Sequence, residues 1–165
     1  MHSTILSVRG RRFVQAVGAV IAATWIGGVA HAADTTSGKY NSVYAGLGIK
    51  GYDTVAYFTD ARPVQGNKSS SYDWHGVTWL FASNEHREAF KANPEKYAPQ
   101  YGAYCSWGVA QGKLFDVDPV NAWKIVDGKL YLNFNGDIQA TWEKDIPGFI
   151  AKAETNWPRL NRLAA

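Results

Sequence analysis

Apolar positions come in short bursts, and Gly or Pro punctuates most of them. Tyr72-Asp73-Trp74 and Val77-Thr78-Trp79-Leu80-Phe81 flank His75-Gly76, and Gly76 can take the positive φ of a tight turn, so a β-hairpin is expected. Trp123 to Val126 and Lys129 to Phe134 flank Asp127-Gly128, a second hairpin signal. Between them Ser83 caps a helix expected over Asn84 to Ala92, where His86, Ala89, Phe90 and Asn93 share one face. Asn93-Pro94 ends it, and Pro94 to Tyr97 begins another turn. Asp53 is placed to cap a short helix from Asp53 to Phe58. Ile138 to Trp157 is amphipathic and is expected to break near Pro147-Gly148 into two helices. Hairpins alternating with short helices predict a small single α+β domain. Its core should include Trp74, Trp79, Phe81, Phe90, Trp123 and Tyr131. No internal repeat or low-complexity segment is visible.

The 165 residues are 46% hydrophobic and 19% charged, which excludes a disordered or collagen-like chain. One Cys excludes an internal disulfide framework. The formal charge of +3 alone would suggest nucleic-acid binding, but the charge is concentrated at one end. Arg9, Arg11 and Arg12 precede a mostly apolar run from Phe13 to Ala30, and Ala30-His31-Ala32 fits a small-x-small cleavage site. Residues 1–32 therefore read as a secretory signal peptide, and Arg11-Arg12-Phe13-Val14 matches part of a twin-arginine signal. Without residues 1–32 the chain carries 14 basic and 14 acidic residues, and no basic run remains for nucleic acid. The organisation expected is a signal over 1–32, a flexible segment over 33–42, a domain over 43–157 and a tail over 158–165. The mature protein is expected in the periplasm or outside the cell, with no membrane attachment after cleavage.

One stretch carries a family resemblance. Phe81-Ala-Ser-Asn-Glu-His86, Phe90 and Asn93-Pro94-Glu-Lys-Tyr97 resemble the core of the YHS domain, an aromatic followed by Phe-Cys-Ser-x-x-Cys, then Phe, then Pro-x-x-Tyr. Ile49 to Phe58 and Tyr97 to Cys105 resemble the exported, stand-alone members. The resemblance spans about residues 43–157 and implies a metal-binding or metal-handling module, with copper or another late transition metal as cofactor. Ala82 and His86 stand where that family carries its cysteines, so the Cys pair is absent and only His86 presents a donor.

The resemblance leaves His86 as a ligand type; the residues add a soft Cu(I) partner in Cys105, with His75 as a further donor, and the inward face of His86 with the turn over Pro94 to Tyr104 predicts His86 and Cys105 on facing elements. Each residue also has a plainer role. Cys105 can be a small buried hydrophobe or pair with a second molecule. His86 can be a hydrogen-bonded structural residue, and His75 can be a solvated turn residue. Asp53 can cap its helix or orient a His. Tyr57, Tyr101 and Tyr104, with Tyr52, can line an aromatic pocket or form core. No phosphate loop, dinucleotide fingerprint, nucleophile elbow or His-Glu-x-x-His helix is present, so the chain reads as a non-enzyme. The alternative to a metal module is a metal-free binding domain that offers an aromatic pocket to a small ligand or partner.

Overall fold

A turn precedes each short helix, and each hairpin closes onto that helix. The computed structural model describes residues 40–41 and 45–164, so the signal reading of residues 1–32 and nearly all of the 33–42 segment lie outside them. Chain order is a turn at Gly48–Gly51, α1 (Ala56–Thr59), β1 (Asn67–Trp74), β2 (Val77–Phe81), α2 (Asn84–Ala92) and α3 (Pro94–Tyr97). A second turn, Gln100–Ala103, leads to α4 (Ser106–Ala110), β3 (Trp123–Val126), β4 (Lys129–Leu132), α5 (Gly136–Trp142) and α6 (Ile146–Leu163). The strands form two separate two-stranded antiparallel sheets, and the domain is α+β.

The hairpins form where their turns dictate. His75-Gly76 and Asp127-Gly128 both adopt left-handed backbone, at φ 53° and 72° and at φ 49° and 72°. This is the conformation a two-residue turn needs to match strand twist. α2 starts at the expected cap, with the Ser83 hydroxyl accepting from the His86 amide, and Asn93 then caps α3 by accepting from the Lys96 amide.

Two expectations need correction. The break in the C-terminal amphipathic stretch falls before Pro147, at the short turn Glu143–Asp145, where Asp145 accepts from the Gly148 amide and Pro147 sits in the first turn of α6. A first-turn Pro has no intrahelical N–H partner to lose, so it starts this helix instead of breaking it. α6 then runs through Pro158 to Leu163, and residues 158–163 belong to the helix. Asn156 ties α6 down by donating to Val109 and Ala110 carbonyls at the end of α4.

The second correction concerns repetition. Positions 52 residues apart adopt the same backbone across most of the domain. Ile49-Lys50 turns left-handed at φ 39° and 57°, and Tyr101-Gly102 does so at 54° and 59°. The ladder Ser71–Leu80, Tyr72–Trp79, Asp73–Thr78, Trp74–Val77 recurs as Trp123–Leu132, Lys124–Tyr131, Ile125–Leu130, Val126–Lys129. Ser83 and Asn135 cap the following helices, and Asn93 (φ −153°, ψ 75°) matches Asp145 (φ −152°, ψ 65°).

Trp79, Phe81, Phe90 and Tyr131 are buried, while Trp74 and Trp123 are half-buried and pack against the core. The main apolar cluster draws on both halves, from Ile49, Val55 and Phe90 to Leu130 and Leu132. A second cluster joins Tyr101, Val109, Tyr131 and Trp142 to Ala153 and Leu160 of α6. Among the described residues no helix is long and apolar enough to cross a membrane.

Candidate functional site

The left-handed turn at Ile49-Lys50 swings the chain so that Asp53 points into the domain. There it is fully buried. Its Oδ1 accepts from the amides of Val55 at 2.9 Å and Ala56 at 3.3 Å, the cap expected for α1. Its Oδ2 accepts from the Ala82 amide at 2.8 Å and contacts His86 Nδ1 at 2.6 Å. Asp53 thus orients a His as well as capping a helix. Carboxylate oxygens only accept, so Nδ1 carries the hydrogen of this contact, and in the neutral ring Nε2 is the acceptor. Nε2 lies 3.4 Å from Thr59 Oγ1, on the exposed side, and the His86 side chain is 20% exposed.

The second left-handed turn does the same for Cys105. The thiol is fully buried at the cap of α4, where it accepts from the Gly108 amide at 3.4 Å and donates to Asn133 Oδ1 at 3.6 Å. The amides of Trp107 and Phe134 also face the sulfur. Burial pushes the thiol pKa up, and the three amides pull the other way without cancelling it. Asn133, itself buried, takes the Trp107 amide at 3.0 Å and donates to Gln139 at 2.7 Å; Gln139 donates to Glu143 at 3.0 Å. This polar thread ends at the surface pair Lys124–Glu143.

The structure therefore commits His86 to Asp53 and Cys105 to Asn133, and the two share no hydrogen-bond partner. His75 sits elsewhere, in its hairpin turn, stacked on Tyr40 and against Trp74. Among the described residues no group of three or more His, Cys, Asp or Glu side chains could hold a metal ion.

An aromatic-lined cavity of about 240 Å³ does exist, and its walls are Trp107, Phe115, Phe134 and Ile138. None of the expected tyrosines lines it. Tyr57 is core, donating to the Pro119 carbonyl at 2.7 Å and packed edge-on to Trp123. Tyr101 is buried against Tyr131 and Trp157 and donates to Glu154 at 3.2 Å, while half-buried Tyr104 also packs on Trp157. Tyr52 packs against the main cluster. The wall residues escape a sequence reading because they come from four segments: α4, the loop after it, the end of the second hairpin and α5. The available signal was a run of large apolar residues, Leu130 to Phe134, interrupted by one Asn.

No family model, curated protein or solved structure matches this chain.

The buried thiol yields a direct expectation. Native protein should resist iodoacetamide, because the thiol is both inaccessible and held protonated. Unfolded protein should take up one label. Intact mass before and after denaturant reads this, and fast native labelling would show that the α4 cap opens.

Proposed function

We propose that the protein is an exported binding domain that needs no metal to fold and that takes an apolar ligand group in the cavity between Trp107, Phe115, Phe134 and Ile138. The observation that carries this is the cavity wall. Four large apolar side chains surround a hollow with no polar atom exposed in it. Two of them, Phe115 and Phe134, stay 39% and 51% exposed. Exposed aromatic rings around a concave apolar site are the common makeup of small-ligand pockets. The volume suits one compact ring or a short branched chain. Export is supported by the Arg9–Ala32 pattern. The intact mass of the exported protein, expected to start near Ala33, tests it.

Toluene serves as probe ligand, with binding followed by Trp fluorescence and two-dimensional NMR. Saturable shifts should centre on Trp107 and Ile138. Phe134→Asp should abolish them while moving Tm little, because Phe134 is half exposed. Shifts scattered over the domain, or unchanged in Phe134→Asp, would end this reading.

A second reading, the metal module of YHS type, has one observation in its favour. A carboxylate fixing His Nδ1 while Nε2 faces outward is the arrangement found behind metal-bound imidazoles. The Cys–His donor pair fits poorly, since Cys105 is buried, protonated and bonded to Asn133. Copper titration of His86→Ala and Cys105→Ser separates the readings. Cooperative unfolding is expected to persist unchanged in chelator, because the apolar core spans both halves and does not depend on a metal. Loss of the transition in chelator would favour the metal module.

A further inference from the structure

The repeat at 52 residues supplies an internal control on the Asp53–His86 pair. Asp53 accepts from the amides of Val55, Ala56 and Ala82. Cys105 stands 52 residues on, and the amides facing its sulfur are those of Trp107, Gly108 and Phe134, each 52 residues on from the first three. Carboxylate and thiol thus hold one place, at the junction of turn, helix and hairpin, with the same three amides facing them; the carboxylate accepts from all three, whereas the thiol accepts from Gly108 and Asn133 takes the Trp107 amide. The fourth partner differs. Where the first half has His86, the second has Ile138. The second half holds the same backbone with neither a carboxylate nor an imidazole, so the fold requires an acceptor there and not a charged dyad.

We infer that the chain is a tandem duplication of one unit of about 50 residues and that its first copy carries a general-base site, in which Asp53 holds His86 so that Nε2 takes the proton of a water or alcohol hydroxyl. The surroundings suit that task. Thr59 Oγ1 lies 3.4 Å from Nε2 and donates to Asp60 Oδ1 at 2.8 Å, with the Val55 carbonyl at 3.2 Å. It marks a position where a bound hydroxyl would find both His86 and a carboxylate. The charged groups near the ring are Asp53 beneath it, Asp60 beyond Thr59, and Glu85 on its own helix; Arg62 stands 4.0 Å from Asp60. The second copy has Gln111 and Gly112 in place of Thr59 and Asp60. There the same region became the apolar cavity, whose walls Trp107, Phe134 and Ile138 correspond to Val55, Ala82 and His86.

p-Nitrophenyl acetate tests the site in the full chain. In the step proposed, water attacks the acetyl carbon and gives its proton to His86 Nε2. The bond to p-nitrophenolate breaks, acetate forms, and the imidazolium returns the proton to solvent. Native protein should release p-nitrophenolate at least about tenfold faster than His86→Asn. That variant keeps a donor where Nδ1 was and has no base where Nε2 was. Cys105→Ser should match the native rate. The double variant Asp53→Cys/His86→Ile copies the second half into the first. It should be as slow as His86→Asn, melt within about 4 °C of native, and melt higher than His86→Ile alone. Equal rates in native and His86→Asn would overturn the general-base assignment. A double variant no better folded than His86→Ile would overturn the equivalence of the two halves. A rate lost in Cys105→Ser would assign the chemistry to the thiol instead.

Discussion

Asp53→Ala is expected to destabilise the protein by about 3–5 kcal/mol, because it removes the acceptor of three amide hydrogen bonds and of the His86 ring N–H, and each buried donor left without a partner costs about 1–3 kcal/mol. The carboxylate is fully buried and accepts three amide hydrogen bonds as well as the His86 contact. Alanine leaves the Ala82 amide with no partner in the apolar interior, and each such orphan costs about 1–3 kcal/mol. The turn at Ile49-Lys50 compounds the loss. Two consecutive non-Gly residues are held left-handed there, in the strained segment that leads into Asp53. Asp53→Asn should cost less, because one oxygen still accepts, although its amide group then faces a donor. Urea unfolding measures both, read as a lower midpoint at constant slope. A loss under about 1 kcal/mol for Asp53→Ala would mean that water reaches the amides and replaces the carboxylate.

The fold was legible where short-range chemistry decides it. His75-Gly76 and Asp127-Gly128 dictate their turns, and Ser83 and Asn93 dictate their caps. The left-handed turns were not legible, because Ile49, Lys50, Tyr101 and Ala103 have no intrinsic preference for positive φ. Packing imposes that backbone. A Cβ on Gly48 would come within 2.7 Å of the Trp79 ring, so the close approach of this turn to the hairpin requires glycine. The repeat escaped for a related reason. Its two copies share backbone roles more than residues, as Asp53 with Cys105 and His86 with Ile138 illustrate.

The site was half legible. Asp53 and His86 both read as site residues from the sequence, but their pairing across 33 positions depends on how β2 delivers α2 over the turn. Cys105 and its aromatic neighbours were visible too. Of the two roles open to the tyrosines, pocket wall or core, Tyr57 and Tyr101 take the core. Tyrosines long enough to reach a backbone carbonyl or a carboxylate are satisfied inside the core, as Tyr57 is at Pro119 and Tyr101 at Glu154. Phe and Ile have no such partner to find, and they can face a hollow at no hydrogen-bonding cost.

Phe90→Ala should destabilise by about 3–5 kcal/mol, the range for removing a buried aromatic side chain. Phe90 is fully buried on the inward face of α2, with rings on four sides. Its centroid lies 5.2 Å from Phe81, 5.4 Å from Trp79, 5.5 Å from Trp74 and 6.3 Å from Tyr72. These four come from the first hairpin, so Phe90 is the residue by which α2 grips that sheet. The rings around it are large and fixed by one another. Collapse into the space is therefore limited, and the cavity contribution should place the cost in the upper part of the range. The effect should also be visible without unfolding. Near-UV circular dichroism should weaken, because Trp74 and Trp79 lose the neighbour that fixes their rotamers, while the far-UV spectrum stays close to native. Phe90→Leu fills most of the space and should recover more than half of the loss. An alanine variant that lost under 1.5 kcal/mol with an unchanged near-UV spectrum would show that α2 is held to the hairpin by Asp53–His86 and its caps, and not by this ring.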